Sequence, residues 1–162
     1  MTSPPETTSL TRRRALAFGG AFTLWPLAAR PQTAEIWSAR QAHDALNDND
    51  LVLLDIRSRR EWKSTGLAKG AWPISLHEDR FLERLQTAMQ LAGERRLALI
   101  CATGGRSAYV QRALASAGAP PVIDISEGML GSPAGPGWIR TGLPAVPLEE
   151  ALAALPDALR EG

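Results

Sequence analysis

A chain of 162 residues with 44% hydrophobic and 22% charged side chains is long enough to bury one ordinary core, and its one cysteine excludes an internal disulfide. The net charge of +1 hides a divided chain: residues 1–30 carry four Arg against one Glu, whereas residues 31–162 carry 14 basic and 16 acidic side chains. That mildly acidic body has no stripe of Lys or Arg with interleaved aromatics, and the five Trp are scattered, which excludes a nucleic-acid footprint.

Residues 1–34 read as an export signal and linker. Arg12, Arg13 and Arg14 precede an apolar stretch of 15 residues, Ala15 to Ala29, in the order of the charged and apolar segments of a secretory signal. The stretch is shorter than the about 20 residues of a membrane-spanning helix and contains Gly19, Gly20 and Pro26. TRRRAL is similar to a twin-arginine signal, with Arg12 and Arg13 as the pair and Ala15 where that pattern has Phe. A periplasmic location is expected, with membrane attachment only through an uncleaved signal. A lone thiol suits that oxidising compartment, since it has no partner within the chain.

The body divides into a folded domain over 35–148 and a closing helix over 149–162. SARQAHDALN predicts a short amphipathic helix with Ser38 as N-cap and Ala42 and Leu46 on one stripe. LVLLDIR is a continuous apolar run of strand length, as expected for a strand covered on both faces in a parallel sheet. REWKST reads as a loop or a single helical turn, and GLAKGAWPIS as a second short strand. HEDRFLERLQTAMQLAG predicts a helix with Phe81, Leu82, Leu85, Met89 and Leu91 or Ala92 near one face and Gly93 as the stop. LALI is the next strand, SAYVQRALASAG a helix from Ser107, and PPVIDI another strand. The Gly- and Pro-rich segment around Trp138 reads as a loop with a small turn, and LEEALAALPDALREG as a helix bent or divided at Pro156. Strands alternating with helices at this spacing predict an open α/β domain, in which ligands sit beyond the carboxyl ends of the strands.

Cys101 falls at one such end. A strand that ends in Cys101, turns through Ala102, Thr103, Gly104 and Gly105 and enters a helix at Arg106 or Ser107 makes a cradle of backbone N–H groups. Glycines allow the curl, and the helix terminus and Arg106 add positive charge, so a sulfur anion is favoured there and the thiol gains nucleophilicity without a histidine. A buried strand-end Cys would account for LALI before it but not for the glycines after it. His43 and His77 read as surface or structural residues, and one Cys with two isolated His makes no metal set.

In order along the chain, LVLLDIRSRREW, GLAKGAWPISL, LICATGGRSAYVQRALASAG and GMLGSPAGPGWIRTGLP resemble a single rhodanese domain. Cys101, Gly104, Arg106 and Ser107 carry the C-x-x-G-x-R-S pattern. The resemblance implies a rhodanese-like open parallel sheet of about five strands flanked by helices. It also implies sulfur transfer through a Cys101 persulfide, without cofactor or metal. The donor would be thiosulfate or a related small anion, and the acceptor a thiol, cyanide or a protein. Arg106 would stabilise the loop and attract the donor, and Thr103 can offer it a hydroxyl. Asp55 and Arg57 match the family's D-x-R and Glu61 the acidic position after it; they are expected as structural support, with an Arg57–Glu61 ion pair holding the strand-end loop. Two positions depart from the pattern: Leu67 stands where the family has His in G-H-I-x-G-A, and the segment before Trp138 is longer and richer in Gly and Pro.

Two other readings compete. A cysteine phosphatase or arsenate reductase also sets a thiolate in an N–H cradle with an Arg, but the phosphatase loop is C-x5-R and only four residues separate Cys101 from Arg106. A carrier or partner-binding module that holds persulfide without turnover shares every feature of the loop.

Overall fold

The computed structural model describes residues 35–160, so the export-signal expectation over 1–34 lies outside the described residues. In chain order the elements are β1 (Ile36–Trp37), α1 (Ala39–Asn47), β2 (Leu51–Asp55), α2 (Arg59–Thr65), β3 (Leu67–Ala68), β4 (Trp72–Pro73) and α3 (Phe81–Ala92). They continue through β5 (Arg96–Ile100), α4 (Gly105–Ser116), β6 (Ile123–Ile125), α5 (Gly137–Arg140), β7 (Ala145–Val146), α6 (Leu148–Ala153) and a 3-10 turn at Asp157–Leu159. Five strands form one parallel sheet in the order β1-β6-β5-β2-β4, the α/β architecture expected from the sequence.

Period-two alternation explains how the central strands serve two cores at once. Val52 and Leu54 of β2, with Leu97 and Leu99 of β5, face one cluster beneath α3, α4 and the C-terminal turn. Leu51 and Leu53, with Ala98 and Ile100, face the other, against Ala39 and Ala42 of α1 and Trp138 of α5. Each fully buried Leu or Ile here contributes ~1.5–3 kcal/mol, so the apolar runs are the main cohesion of the sheet.

Helix starts follow local chemistry. Ser38 caps α1 in a reciprocal box with Gln41, as its sequence suggested. The same device, Ser58 with Glu61, nucleates α2, so REWKST belongs to a seven-residue helix rather than to a loop or single turn. Helix α4 begins at Gly105, two residues ahead of the expected Ser107.

Two other expectations change. GLAKGAWPIS is not one strand: a tight turn, Ala71 N donating to Ala68 O at 3.0 Å, sends β3 to an antiparallel pair with β7 and β4 to the parallel sheet beside β2. Leu82 lies off the core face of α3 and is exposed, while Phe81, Leu85, Ala88 and Ala92 carry the packing. At the C-terminus the chain divides at Pro156 as expected, and Leu155 and Leu159 pack into the same cluster as α3. Buried Arg84 fastens that turn by donating from Nη2 to Leu159 O at 2.7 Å and to Pro73 O at 3.2 Å.

Candidate active site

Strand β5 delivers Cys101 to the carboxyl end of the sheet, on the same face as Leu97 and Leu99, with 1% of its surface exposed. The chain then turns back carbonyl-first. Cys101 O accepts Met129 N and Ala102 O accepts Leu130 N, both at 2.9 Å, so the segment after β6 consumes the loop's acceptors. Its donors stay free: among the described residues, no amide from Ala102 to Ser107 bonds to a backbone carbonyl or a side chain, and the first to do so is Ala108, to Gly104 O at 3.1 Å. Free amides beside a buried thiol at the start of a 12-residue helix can stabilise negative charge, since they and the helix dipole supply fixed positive ends.

Two glycines make the curl possible. Gly104 has φ +82°, and a Cβ there would lie 2.1 Å from Ser126 O. Gly128 has φ +66°, and its Cβ would lie 2.5 Å from Ala102 O and 2.7 Å from Thr103 N, so the two backbones touch only because both side chains are absent. Gly105 was expected to share this duty and does not: it opens the helix with nothing within 4 Å of its Cβ position. Of the remaining loop residues, Thr103 is exposed, Ala102 and Arg106 are half-buried and Ser107 is buried. Ser107 Oγ stands 3.5 Å from Cys101 Sγ and 3.0 Å from Gly104 O.

The supporting charges are wired differently from the expected Arg57–Glu61 ion pair, which does not form. Asp55 and Arg57 are both fully buried and bond to each other: Nη2 donates to Oδ2 at 2.7 Å and Nε to Oδ1 at 2.9 Å. The rest of the Arg57 guanidinium donates to Thr65 Oγ1 at 2.8 Å and Gly66 O at 2.7 Å, fixing the end of α2. Asp55 lies two residues before Arg57, on the same side of the strand end, so the nearer carboxylate takes the guanidinium. Glu61, the third helical residue of α2, reaches instead to Arg106, which donates to it at 2.5 and 3.0 Å. The Arg106 hydrogen bonds, opposed by burial and helped by Ser58, hold the Glu61 carboxyl down to about 2. Arg106 is pushed above its ordinary value, first by its hydrogen bonds to Glu61 and in smaller part by Cys101. The buried Asp55–Arg57 pair thus orients α2, and α2 presents the partner that orients Arg106.

His77 has Nε2 3.5 Å from Arg106 Nη1 on the exposed rim, a proximity that spacing along the chain did not reveal. His43 lies edge-on to Trp138 at 5.8 Å and serves packing, in line with its structural reading. Leu67, at the departure from the family pattern, is fully buried against Trp62, Leu148 and Ala151. The Gly- and Pro-rich segment before Trp138 is tied down by a Ser132–Gly135 bridge, by Ser132 Oγ donating to Ser126 O at 2.8 Å, and by Gly137 N donating to Glu127 Oε2 at 3.0 Å. Sequence reasoning passed over Asp124, an acid buried in β6; the signal was a charge between Ile123 and Ile125 in a strand otherwise fully apolar.

Among solved structures, the chain is similar to the Rv0390 protein of M. tuberculosis, at 25% identity over 68% of this chain and 96% of that one, with a TM-score of 0.50. It is also similar to a Rhodopseudomonas palustris protein described as of unknown function and a possible tyrosine phosphatase, at 22% identity, 70% and 85% coverage and a TM-score of 0.52. Thiosulfate sulfurtransferase from Pseudomonas aeruginosa matches at 20% identity over 70% of this chain and 20% of that one, with a TM-score of 0.51. The last two likenesses speak to the fold alone. No curated protein matches the sequence. Residues 38–131, which hold β2, the supporting charges and the whole Cys101 loop, match the family of rhodanese-like domains, and the chain belongs to that family.

Proposed function

We propose that the protein is a sulfurtransferase in which Cys101 accepts sulfane sulfur from thiosulfate or a related small anionic donor and holds it as a persulfide. The acceptor is a thiol, cyanide or a sulfur-accepting protein. The observation that carries this reading is the run of free amides from Ala102 to Ser107 around a buried thiol.

In the first step the Cys101 thiolate attacks the outer sulfur of thiosulfate. A Cys101–sulfur bond forms, the sulfur–sulfur bond of thiosulfate breaks, and sulfite leaves with the electron pair. The negative charge then rests on the outer sulfur of the persulfide. Unpaired amides and a helix terminus held beside the thiol by the fold meet this charge without reorganisation, which is the usual largest contribution to such catalysis. In the second step the acceptor attacks the outer sulfur and Cys101 leaves as thiolate; cyanide yields thiocyanate. Arg106, kept cationic and aligned by Glu61, draws in the anionic donor, and exposed Thr103 offers its hydroxyl at the loop.

The four residues between Cys101 and Arg106 favour sulfur over a phosphate ester, whose tetrahedral oxyanion needs a wider loop. The test is thiocyanate formation from thiosulfate and cyanide, run beside p-nitrophenyl phosphate hydrolysis. Thiocyanate formation lost in Cys101→Ala, without phosphate release, supports the reading; phosphate release dependent on Cys101 refutes it. Persulfide formation without turnover identifies a carrier instead. We also propose that residues 1–34 direct export to the periplasm, supported by the Arg12–Arg13 pair ahead of its apolar stretch. Recovery of the protein solely from the cytoplasmic fraction would contradict that.

A further inference from the structure

On the rim of the Cys101 loop stands a histidine that the mechanism above does not use. His77 is exposed, and it belongs to the segment between β4 and α3, whose backbone is tied down on every side. Leu76 N donates to Ile56 O at 3.1 Å, His77 N to Ser75 Oγ at 3.2 Å and Glu78 N to Ser75 O at 3.2 Å. The Glu78 carboxylate accepts Ser75 N at 3.0 Å and takes the guanidinium of buried Arg84. The imidazole is therefore presented from a fixed point.

What it meets is the cation of the loop. Arg106 Nη1 lies 3.5 Å from His77 Nε2 and donates to Glu61 Oε2 at 3.0 Å, while Arg106 Nη2 donates to Glu61 Oε1 at 2.5 Å. Glu61 thus holds both terminal nitrogens of the guanidinium, and with its carboxyl held down to about 2 it stays ionised between pH 5 and 8. The pair is close to neutral as a unit: Arg106 orients an anion at contact, but the pair offers little net charge to a dianion such as thiosulfate. His77 is the group beside it whose charge varies. A guanidinium only donates, so the Arg106 contact requires a neutral ring with its proton on Nδ1. At 3.5 Å that contact is at the long limit of a hydrogen bond and costs little to release. The other charges around His77 are fixed or engaged. Glu61 stands beyond Arg106, Glu78 is taken by Arg84, Arg80 pairs with Glu83 of α3 at 2.6 and 2.9 Å, and Asp79 is exposed.

We propose that His77 is a donor-binding residue: protonated, it gives up Arg106 and supplies the net positive charge that captures a doubly charged sulfur donor, whereas the neutral ring rests on Arg106. The inference rests on the Cys101 loop receiving an anionic donor, as in the function proposed above. Thiosulfate binding to Cys101→Ala needs no sulfur transfer, so the two can fail separately.

The test measures thiosulfate affinity by calorimetry on the full chain at pH 5.5 and pH 8, the interval over which an imidazole ordinarily changes charge. With Cys101 replaced, no thiolate titrates there, and His43, the chain's other histidine, packs edge-on to Trp138 in the cluster on the other face of the sheet. Cys101→Ala is expected to bind thiosulfate about five- to tenfold more tightly at pH 5.5 than at pH 8, the worth of one added charge beside a dianion at a solvated rim. Adding His77→Gln, a neutral side chain, should leave the weak pH 8 affinity at both pH values, within about twofold. Adding His77→Lys, a permanent cation, should give the tight affinity at both. Both substitutions fall on an exposed side chain, outside the core. Methanethiosulfonate, a singly charged donor, should gain only about two- to threefold on acidification of Cys101→Ala. The proposal is overturned if Cys101→Ala binds no thiosulfate at pH 5.5 or binds it equally at both pH values. It is overturned as well if the pH effect survives His77→Gln, or if His77→Lys binds no better than His77→Gln at pH 8.

Discussion

Gly104 and Gly105 are adjacent in sequence and opposite in consequence. An Ala at Gly104 must adopt φ +82°, a left-handed conformation costing ~1–2 kcal/mol for a residue with a Cβ. Its methyl would also stand 2.1 Å from Ser126 O and 2.9 Å from the Ser126 carbonyl carbon. Ser126 cannot simply retreat, because its carbonyl also accepts the Ser132 hydroxyl at 2.8 Å. Overpacking of this kind adds ~1–3 kcal/mol, so Gly104→Ala should cost ~2–5 kcal/mol, a large part of a domain's usual ~5–15. Any relief must come from the loop moving by about 1 Å, a misplacement that costs on the order of 100-fold in rate. Gly105→Ala meets nothing within 4 Å and sits at an ordinary helical position, where Ala gains ~0.5–1 kcal/mol over Gly. Urea denaturation and thiocyanate formation on both variants check this. If Gly104→Ala keeps parental stability and activity, or if Gly105→Ala is the more damaging, the reading of the loop is wrong.

Further outcomes follow from the charges. The Glu61 carboxyl is held at about 2 against an ordinary 4.5, so its stabilisation is present above pH 4.5 and is lost as pH falls towards 2. The full shift corresponds to about 3 kcal/mol, but solvent screening at this partly exposed pair reduces the expected contribution to ~1. Glu61→Gln should therefore lower stability by ~1 kcal/mol at pH 7 and converge with the parent near pH 2, measured by urea midpoints; a gap independent of pH would contradict the assignment. Asp55→Ala leaves Arg57 buried without its carboxylate and should cost ~3–5 kcal/mol, whereas Asp55→Leu combined with Arg57→Met should cost less than that single change. Denaturation of the three proteins decides it, and a milder effect from Asp55→Ala than from the pair would refute the assignment.

What the sequence disclosed follows its local signals. Continuous apolar runs gave β2 and β5, and CATGGRS placed the thiol, the curl and the unpaired amides, since each of these depends on neighbouring residues. Helix α2 was also legible, in the Ser58–Glu61 spacing, but the polar look of REWKST obscured it. Pairings across the fold were not legible. Arg57 and Glu61 are four residues apart and invite an ion pair, yet the strand end turns Arg57 to Asp55 while α2 carries Glu61 to Arg106, 45 positions away. The division of labour between Gly104 and Gly105 depends on where Ser126 passes, which no neighbouring residue announces.

Mass spectrometry of the intact protein after incubation with thiosulfate tests the central claim most directly. The account predicts a gain of one sulfur atom, removed by cyanide with release of thiocyanate and absent from Cys101→Ala. No mass gain with thiosulfate or any other sulfane donor, or a gain that survives Cys101→Ala, would contradict it.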